Sequence, residues 1–206
     1  MGRILVVCVL AFGTPALAEP IDEPAATFHK GQFGLSGRFA LGYRGIAPHD
    51  GNATYCGTTD TNERNGNASV CTGSAPLALD LEAAYGVAQH VELTLEMRLG
   101  LERDFGAAPG MDGPRPFHLA PGARFFFGET AHTKLFVQPM LLLDLAGYKS
   151  GTGDRGTEIG VRGLEGYWID LHKTYGFYVF VGETAGFTPW LIAEFQGGVG
   201  LQGRYP

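Results

Sequence analysis

The sequence predicts an all-β fold: a closed, antiparallel, up-and-down transmembrane β-barrel of eight strands. Three observations predict it. Large apolar side chains recur at alternate positions through long segments, the signature of strands with one oily face. Long polar loops alternate with tight turns along the chain. The polar faces of the strands carry arginine, carboxylates and small residues, while the four lysines, Lys30, Lys134, Lys149 and Lys173, avoid the middles of the strands.

The chain opens with Arg3, the apolar stretch "ILVVCVLAF" and a small-residue "ALA" before Glu19. A positive n-region, a short apolar run and a cleavage site predict a secretory signal peptide over residues 1–18. The apolar run falls short of the roughly 20 residues needed to span a bilayer as a helix. Residues 19–31, "EPIDEPAATFHKG", are rich in proline and acid and are expected to form a flexible lead-in. The barrel is placed at 32–206. Without Arg3 the chain has 14 basic and 21 acidic residues, and an acidic chain lacking basic clusters argues against nucleic acid as a partner.

The first strand is "QFGLSGRFALGYR", with Phe33, Leu35, Phe39, Leu41 and Tyr43 on one parity and Arg38 and Arg44 on the other. "LALDLEAAYGV" alternates Leu77, Leu79, Leu81, Tyr85 and Val87 against Asp80 and Glu82. A tight turn leads into "VELTLEMRLGLE", which is free of error: odd positions 91–101 are large and apolar, and even positions carry Glu92, Thr94, Glu96, Arg98, Gly100 and Glu102.

"FHLAPGARFFFG" alternates around Arg124 but contains Pro121. "KLFVQPMLLLDLA" sets leucines and Val137 against Gln138 and Asp144 and contains Pro139. Proline lacks the ladder N–H, so a bulge or local disruption is expected at each. "EIGVRGLEGYWIDL" puts Arg162 and Asp170 on one face, yet Glu165 falls on the oily parity, a misfit that a bulge would absorb. "YGFYVFVGETAG" is apolar on both parities. The last strand, "WLIAEFQGGVGLQGRY", opposes Glu194, Gln196, Gln202 and Arg204 to Phe195, Val199, Leu201 and Tyr205.

Loops at 46–76, 104–116 and 147–157 are long, whereas 88–90, 129–133 and 172–175 are short. A barrel inserted from one side shows this segregation. Strands of 12 or 13 residues at about 3.3 Å rise and about 40° tilt project to roughly 30 Å, enough for the apolar band. Aromatic Phe33, Tyr43, Tyr85 and Tyr205 lie near strand ends, where interfacial girdles form. The oily faces are therefore assigned to lipid. The inward set is Arg38, Arg44, Asp80, Glu82, Glu92, Glu96, Arg98, Glu102, Arg124, Arg162, Glu194 and Arg204. In an eight-stranded barrel the interior is just wide enough for side chains to fill it, so these charges are expected to pair and plug the lumen.

On these features the chain resembles the small outer-membrane β-barrel proteins of Gram-negative bacteria, the OmpA-barrel and OmpX-like group. The resemblance covers residues 32–206 and rests on the leader, the dyad repeats, the loop alternation and the terminal strand "FQGGVGLQGRYP". It implies an integral outer-membrane protein, with outer-membrane lipid and the barrel-assembly machinery as partners. The family usually ends on the terminal aromatic, whereas here Pro206 follows Tyr205.

A structural or surface-interaction role without enzymatic activity or cofactor is expected. The rival readings are a narrow porin-like channel, a lipid-modifying enzyme and a soluble lipocalin-type binder. For the enzyme, His118 lies on an inward parity and His172 at a short turn, but no His-x-Ser pair joins Ser36, Ser69, Ser74 or Ser150. No metal-ligand spacing is present. Cys56 and Cys71 form the one cysteine pair left after the leader and are expected to close a disulfide across loop 46–76, a possible site for an extracellular ligand.

Overall fold

The computed structural model describes residues 29–47, 71–103, 115–128, 132–146, 148–150, 153–155, 157–188 and 191–206. The leader at 1–18, most of the lead-in and Cys56, the expected disulfide partner of Cys71, lie outside the described residues. No helix occurs among them.

The alternating segments fold as β1 (Phe33–Ala47), β3 (Ala78–Ala88), β4 (Val91–Gly100), β5 (Phe117–Phe127), β6 (Thr133–Asp144), β9 (Glu158–His172), β10 (Tyr175–Gly186) and β11 (Leu191–Tyr205). Each pairs antiparallel with its neighbour, and β11 pairs with β1 from Phe33↔Tyr205 to Ala47↔Leu191. The sheet is thus a closed eight-stranded barrel with no free edge of its own.

Three short strands lie in segments expected to be loop. β2 (Cys71–Ser74) adds to β1 beyond the start of β3, so the end of the 46–76 loop continues the wall. β7 (Tyr148–Ser150) and β8 (Gly153–Arg155) form a hairpin within the 147–157 loop.

Strand registers fix the barrel's shape. Stepping across partners from Arg44 leads through Glu194, Thr184, Arg162, Met140, Gly122, Thr94 and Ala84 to Gly34. The path returns to β1 ten residues from its start. With about 3.3 Å rise and about 4.8 Å between strands, that shear tilts the strands by about 40° and gives a backbone radius of roughly 8 Å.

The prolines interrupt pairing without changing register. The β5–β6 ladder keeps one register from His118↔Asp144 to Phe127↔Leu135, with partners missing beside Pro121 and Pro139. A missing N–H deletes a bond and leaves the alignment of the remaining bonds intact. Nor does a bulge rescue Glu165. β9 keeps a single parity against β6 and β10 through its centre, and Glu165 points outward.

The outward face is otherwise apolar. Leu41, Leu141, Leu201, Leu93 and Phe195 are each more than half exposed, and Phe33, Tyr43, Tyr85 and Tyr205 stand outward near strand ends. A soluble protein rarely leaves so continuous an oily belt uncovered.

Candidate functional site: the barrel interior

Inward positions fall into two groups. On the β5, β6, β9 and β10 wall the interior is aromatic, with Phe126, Phe136, Trp168, Tyr178 and Phe180 forming the apolar core together with Ala40, Ala120, Met140 and Leu164. The Trp168 and Tyr178 rings stack at 4.9 Å and 7°. Room for them comes from glycine: a Cβ on Gly176 would strike the Trp168 ring, and one on Gly200 the Tyr178 ring. This is why β10 reads as apolar on both parities. Its outward side chains form the oily belt, and its inward ones form this core.

The rest of the interior is ionic. Among the described residues, seven basic ones are buried (Arg38, Arg44, Arg98, Arg124, Lys134, Arg162 and Arg204) against seven acidic ones (Asp80, Glu82, Glu92, Glu96, Glu158, Asp170 and Glu194). Equal numbers make the buried set neutral overall. The residues on β3 and β4 anchor the network, because Asp80↔Arg98 are direct cross-strand partners.

Toward the loop end, Arg44 Nε donates to Glu194 Oε2 at 2.6 Å, and Arg98 Nη1 donates to Glu194 Oε1 at 2.9 Å. In the middle, Arg98 grips Asp80 with Nε and Nη2 at 2.6 and 2.8 Å. Arg38 Nε and Arg162 Nη2 also reach Asp80 Oδ2, at 3.4 and 3.3 Å. Glu82 accepts from Arg38, Arg124, Ser36 and Gln138.

Toward the turn end, Arg124 Nη1 donates to Glu92 Oε2 at 2.9 Å while its guanidinium lies 5.4 Å from the centroids of Phe136 and Trp168. That guanidinium joins the ionic group to the aromatic one through the attraction of a cation for a ring face.

Eleven of the twelve sequence-assigned charges are buried inside the barrel. Glu102 is the exception. It is exposed beyond the end of β4, and its carboxylate accepts the backbone N–H of Leu77 at 3.1 Å. The alternation of residues 91–101 runs past the last paired residue, so parity overstated the strand by two positions.

Three buried charges among the described residues were not assigned, Lys134, Glu158 and Asp170, and neither was the buried His29. Lys134 is the second residue of β6 and faces Asp170 at 2.8 Å. Its inward parity could have been read from Gln138. Glu158, first in β9, was likewise legible from Arg162. Nothing in the alternation announces His29, which precedes every strand.

His29 seals the turn end. The final residues of the expected flexible lead-in are packed against the barrel: the Gly31 N–H bonds to Gly86 O at 2.7 Å, and the His29 carbonyl sits where a Cβ on Gly86 would be. Its Nε2 lies 2.7 Å from Lys134 Nζ and its Nδ1 2.6 Å from Glu92 Oε1. A lysine donating to Nε2 puts the ring proton on Nδ1, facing the carboxylate. Burial lowers the imidazole pKa to about 4, helped by Arg204 and Lys134 and opposed by Glu92.

His118, the enzyme candidate, is buried with Nε2 3.1 Å from Glu96 Oε1. Ser36, the serine buried inside the barrel, is bonded to Glu82. Asp80, Glu96 and His118 bring ligand-type atoms within 4.8 Å of one another. Yet every oxygen of the two carboxylates already faces a guanidinium, from Arg38, Arg98 or Arg162. Three surrounding cations suit this cluster to arginine and oppose a metal ion.

No protein-family model matches the chain, and no curated protein matches it in sequence. Solved structures match its fold. The N-terminal β-barrel domain of Pseudomonas aeruginosa OprF is 12% identical with a TM-score of 0.54, covering 85% of this chain and 98% of that one. Neisserial surface protein A is 12% identical with a TM-score of 0.56, over 85% and 100%. Ail, the attachment invasion locus protein of Yersinia pestis, is 10% identical with a TM-score of 0.50, over 84% and 99%. At these identities the likeness is one of architecture: the chain has the fold of small outer-membrane barrels.

Proposed function

We propose that this chain is an integral outer-membrane barrel protein with a closed interior, serving a structural or surface-interaction role rather than conduction or catalysis. The partition of side chains supports it: the described outward face is an oily belt, and the inward face a charge-balanced plug. Lipid is the solvent that suits the first, and satisfied ion pairs suit the second. The terminal strand, with Phe195, Val199, Leu201 and Tyr205 outward, is the segment we assign to recognition by the assembly machinery. Long loops at one end, 46–76 included, are the surface we assign to extracellular contact.

The test is expression of the full chain in a Gram-negative host, with fractionation and gel mobility in SDS before and after boiling. An outer-membrane species whose mobility shifts on boiling is expected. Soluble periplasmic protein without a shift would overturn the membrane reading and point to a ligand-holding barrel.

A further inference from the structure

Ahead of β1 the chain folds back over the turn end of the barrel. Residues 29–32 form a β-turn, closed by the Gln32 N–H donating to the His29 carbonyl at 3.0 Å. Gly31 stands at its third position with φ at 79°, a left-handed conformation that glycine adopts without strain. Gln32 already belongs to the wall, because the Gly86 N–H donates to its carbonyl at 2.9 Å and continues the β1–β3 register. Gly31 is therefore the pivot. The turn beyond it lowers His29 into the barrel and leaves Lys30 exposed.

The imidazole is faced by Glu92 of β4 at 2.6 Å, Lys134 of β6 at 2.7 Å and Asp170 of β9 at 3.9 Å, with Arg204 of β11 bearing on it as a second cation. Phe126 of β5 meets it edge-on at 4.7 Å, and Trp168 of β9 lies 6.0 Å away. These partners are satisfied without it. Lys134 keeps Asp170 at 2.8 Å, and Glu92 keeps Arg124 at 2.9 Å and Arg204 at 3.2 Å. Asp170 also accepts the Trp168 indole N–H at 2.8 Å. Withdrawing the imidazole breaks none of these pairs.

We propose that residues 29–31 form an acid-released latch on the turn-end mouth of the barrel, which swings out about Gly31 while the strands stay closed. A protonated imidazole can no longer accept from Lys134, and it sets a second positive charge against that ammonium. Glu92 and Asp170 favour the proton, but burial and the two cations outweigh them and hold docked His29 at a pKa of about 4 against the ordinary 6.5. The released side chain therefore takes the proton first. Docking weakens by up to about 300-fold as pH falls from 6.5 to 4. Release opens a vestibule at Lys134, Arg204 and Trp168 and no pore, since the Arg38–Asp80–Arg98 group still fills the middle of the barrel.

The test is fluorine NMR of the full chain labelled with fluorotryptophan in detergent micelles, with boiling-dependent gel mobility read on the same samples. Trp168 reports the latch, and the resonance of the chain's other tryptophan is identified by its loss in Trp190→Phe. The expected result is a Trp168 resonance that moves from a docked to an open position between pH 6.5 and 4 while the barrel keeps its mobility shift. His29→Ala should show the open position at every pH in an intact barrel. His29→Gln, which keeps a neutral hydrogen-bonding side chain, should show the docked position throughout. A wild-type resonance unchanged down to pH 4, or a movement that His29→Gln shares, would overturn the proposal. So would loss of the mobility shift in His29→Ala, or in step with the wild-type change, because His29 would then belong to the folding of the barrel and not to a latch.

Discussion

Asp80 and Arg98 face each other directly across β3 and β4, and one guanidinium holds both oxygens of one carboxylate at 2.6 and 2.8 Å. The pair is the hub of the interior, because Arg38 and Arg162 close on the same carboxylate from other strands.

Removing Asp80 takes a shared carboxylate from three buried cations, which keep only Glu82, Glu96 and Glu194 between them. Asp80→Ala is expected to destabilise the barrel by about 3–5 kcal/mol, the usual consequence of removing one partner from a buried ion-pair network. Asp80→Leu combined with Arg98→Leu should cost less than Asp80→Ala alone. Urea titration of tryptophan fluorescence in vesicles reads both, and equal stability of Asp80→Ala and wild type would refute the hub.

A charge-balanced, side-chain-filled interior of this radius should not conduct. Planar bilayers containing the wild-type chain are expected to stay free of discrete current steps. Steady ion-selective steps from the unmodified protein would replace the closed interior with the narrow-channel reading.

His29 makes stability depend on pH. Its folded pKa of about 4 lies below the ordinary 6.5. Between those values the unfolded chain binds the proton more readily. The contribution is fully present above pH 6.5 and is lost as pH falls toward 4, amounting to about 3 kcal/mol at most. His29→Gln should flatten the stability profile between pH 6.5 and 4. An unchanged slope in that variant would mean that His29 does not titrate against folding.

Two glycines of β11 separate inside from outside. A Cβ on Gly200 would collide with the Tyr178 ring, whereas one on Gly203 meets nothing within 4 Å. Gly200→Leu should therefore cost about 1–3 kcal/mol or more through overpacking, and Gly203→Leu should be near neutral. Thermal shifts in boiling-dependent mobility compare them. Equal sensitivity at both positions would contradict the inward placement of Gly200.

Much of this molecule was legible from parity. A strand with one oily face offers two choices of orientation, and lysine avoidance, strand length and loop alternation selected the orientation the structure shows. Eleven of the twelve assigned charges then fell inside with no knowledge of their partners. Parity failed where it has no purchase. It ran on through Glu102 because alternation does not register where pairing stops. It suggested a bulge for Glu165 because it assumes that a lipid face carries no charge. It missed the aromatic wall because β10 is apolar on both faces, and a period cannot be read where both phases are alike.

The sequence by itself determined the strand count, the direction each face looks and the identity of most inward charges, since these depend on local alternation. Only the tertiary structure decided who pairs with whom. The ten-residue shear brings Arg44 of β1 against Glu194 of β11, Arg162 of β9 against Asp80 of β3, and His29 beneath Lys134 of β6. Those meetings depend on closure of the barrel, a global condition on eight registers that no single strand encodes.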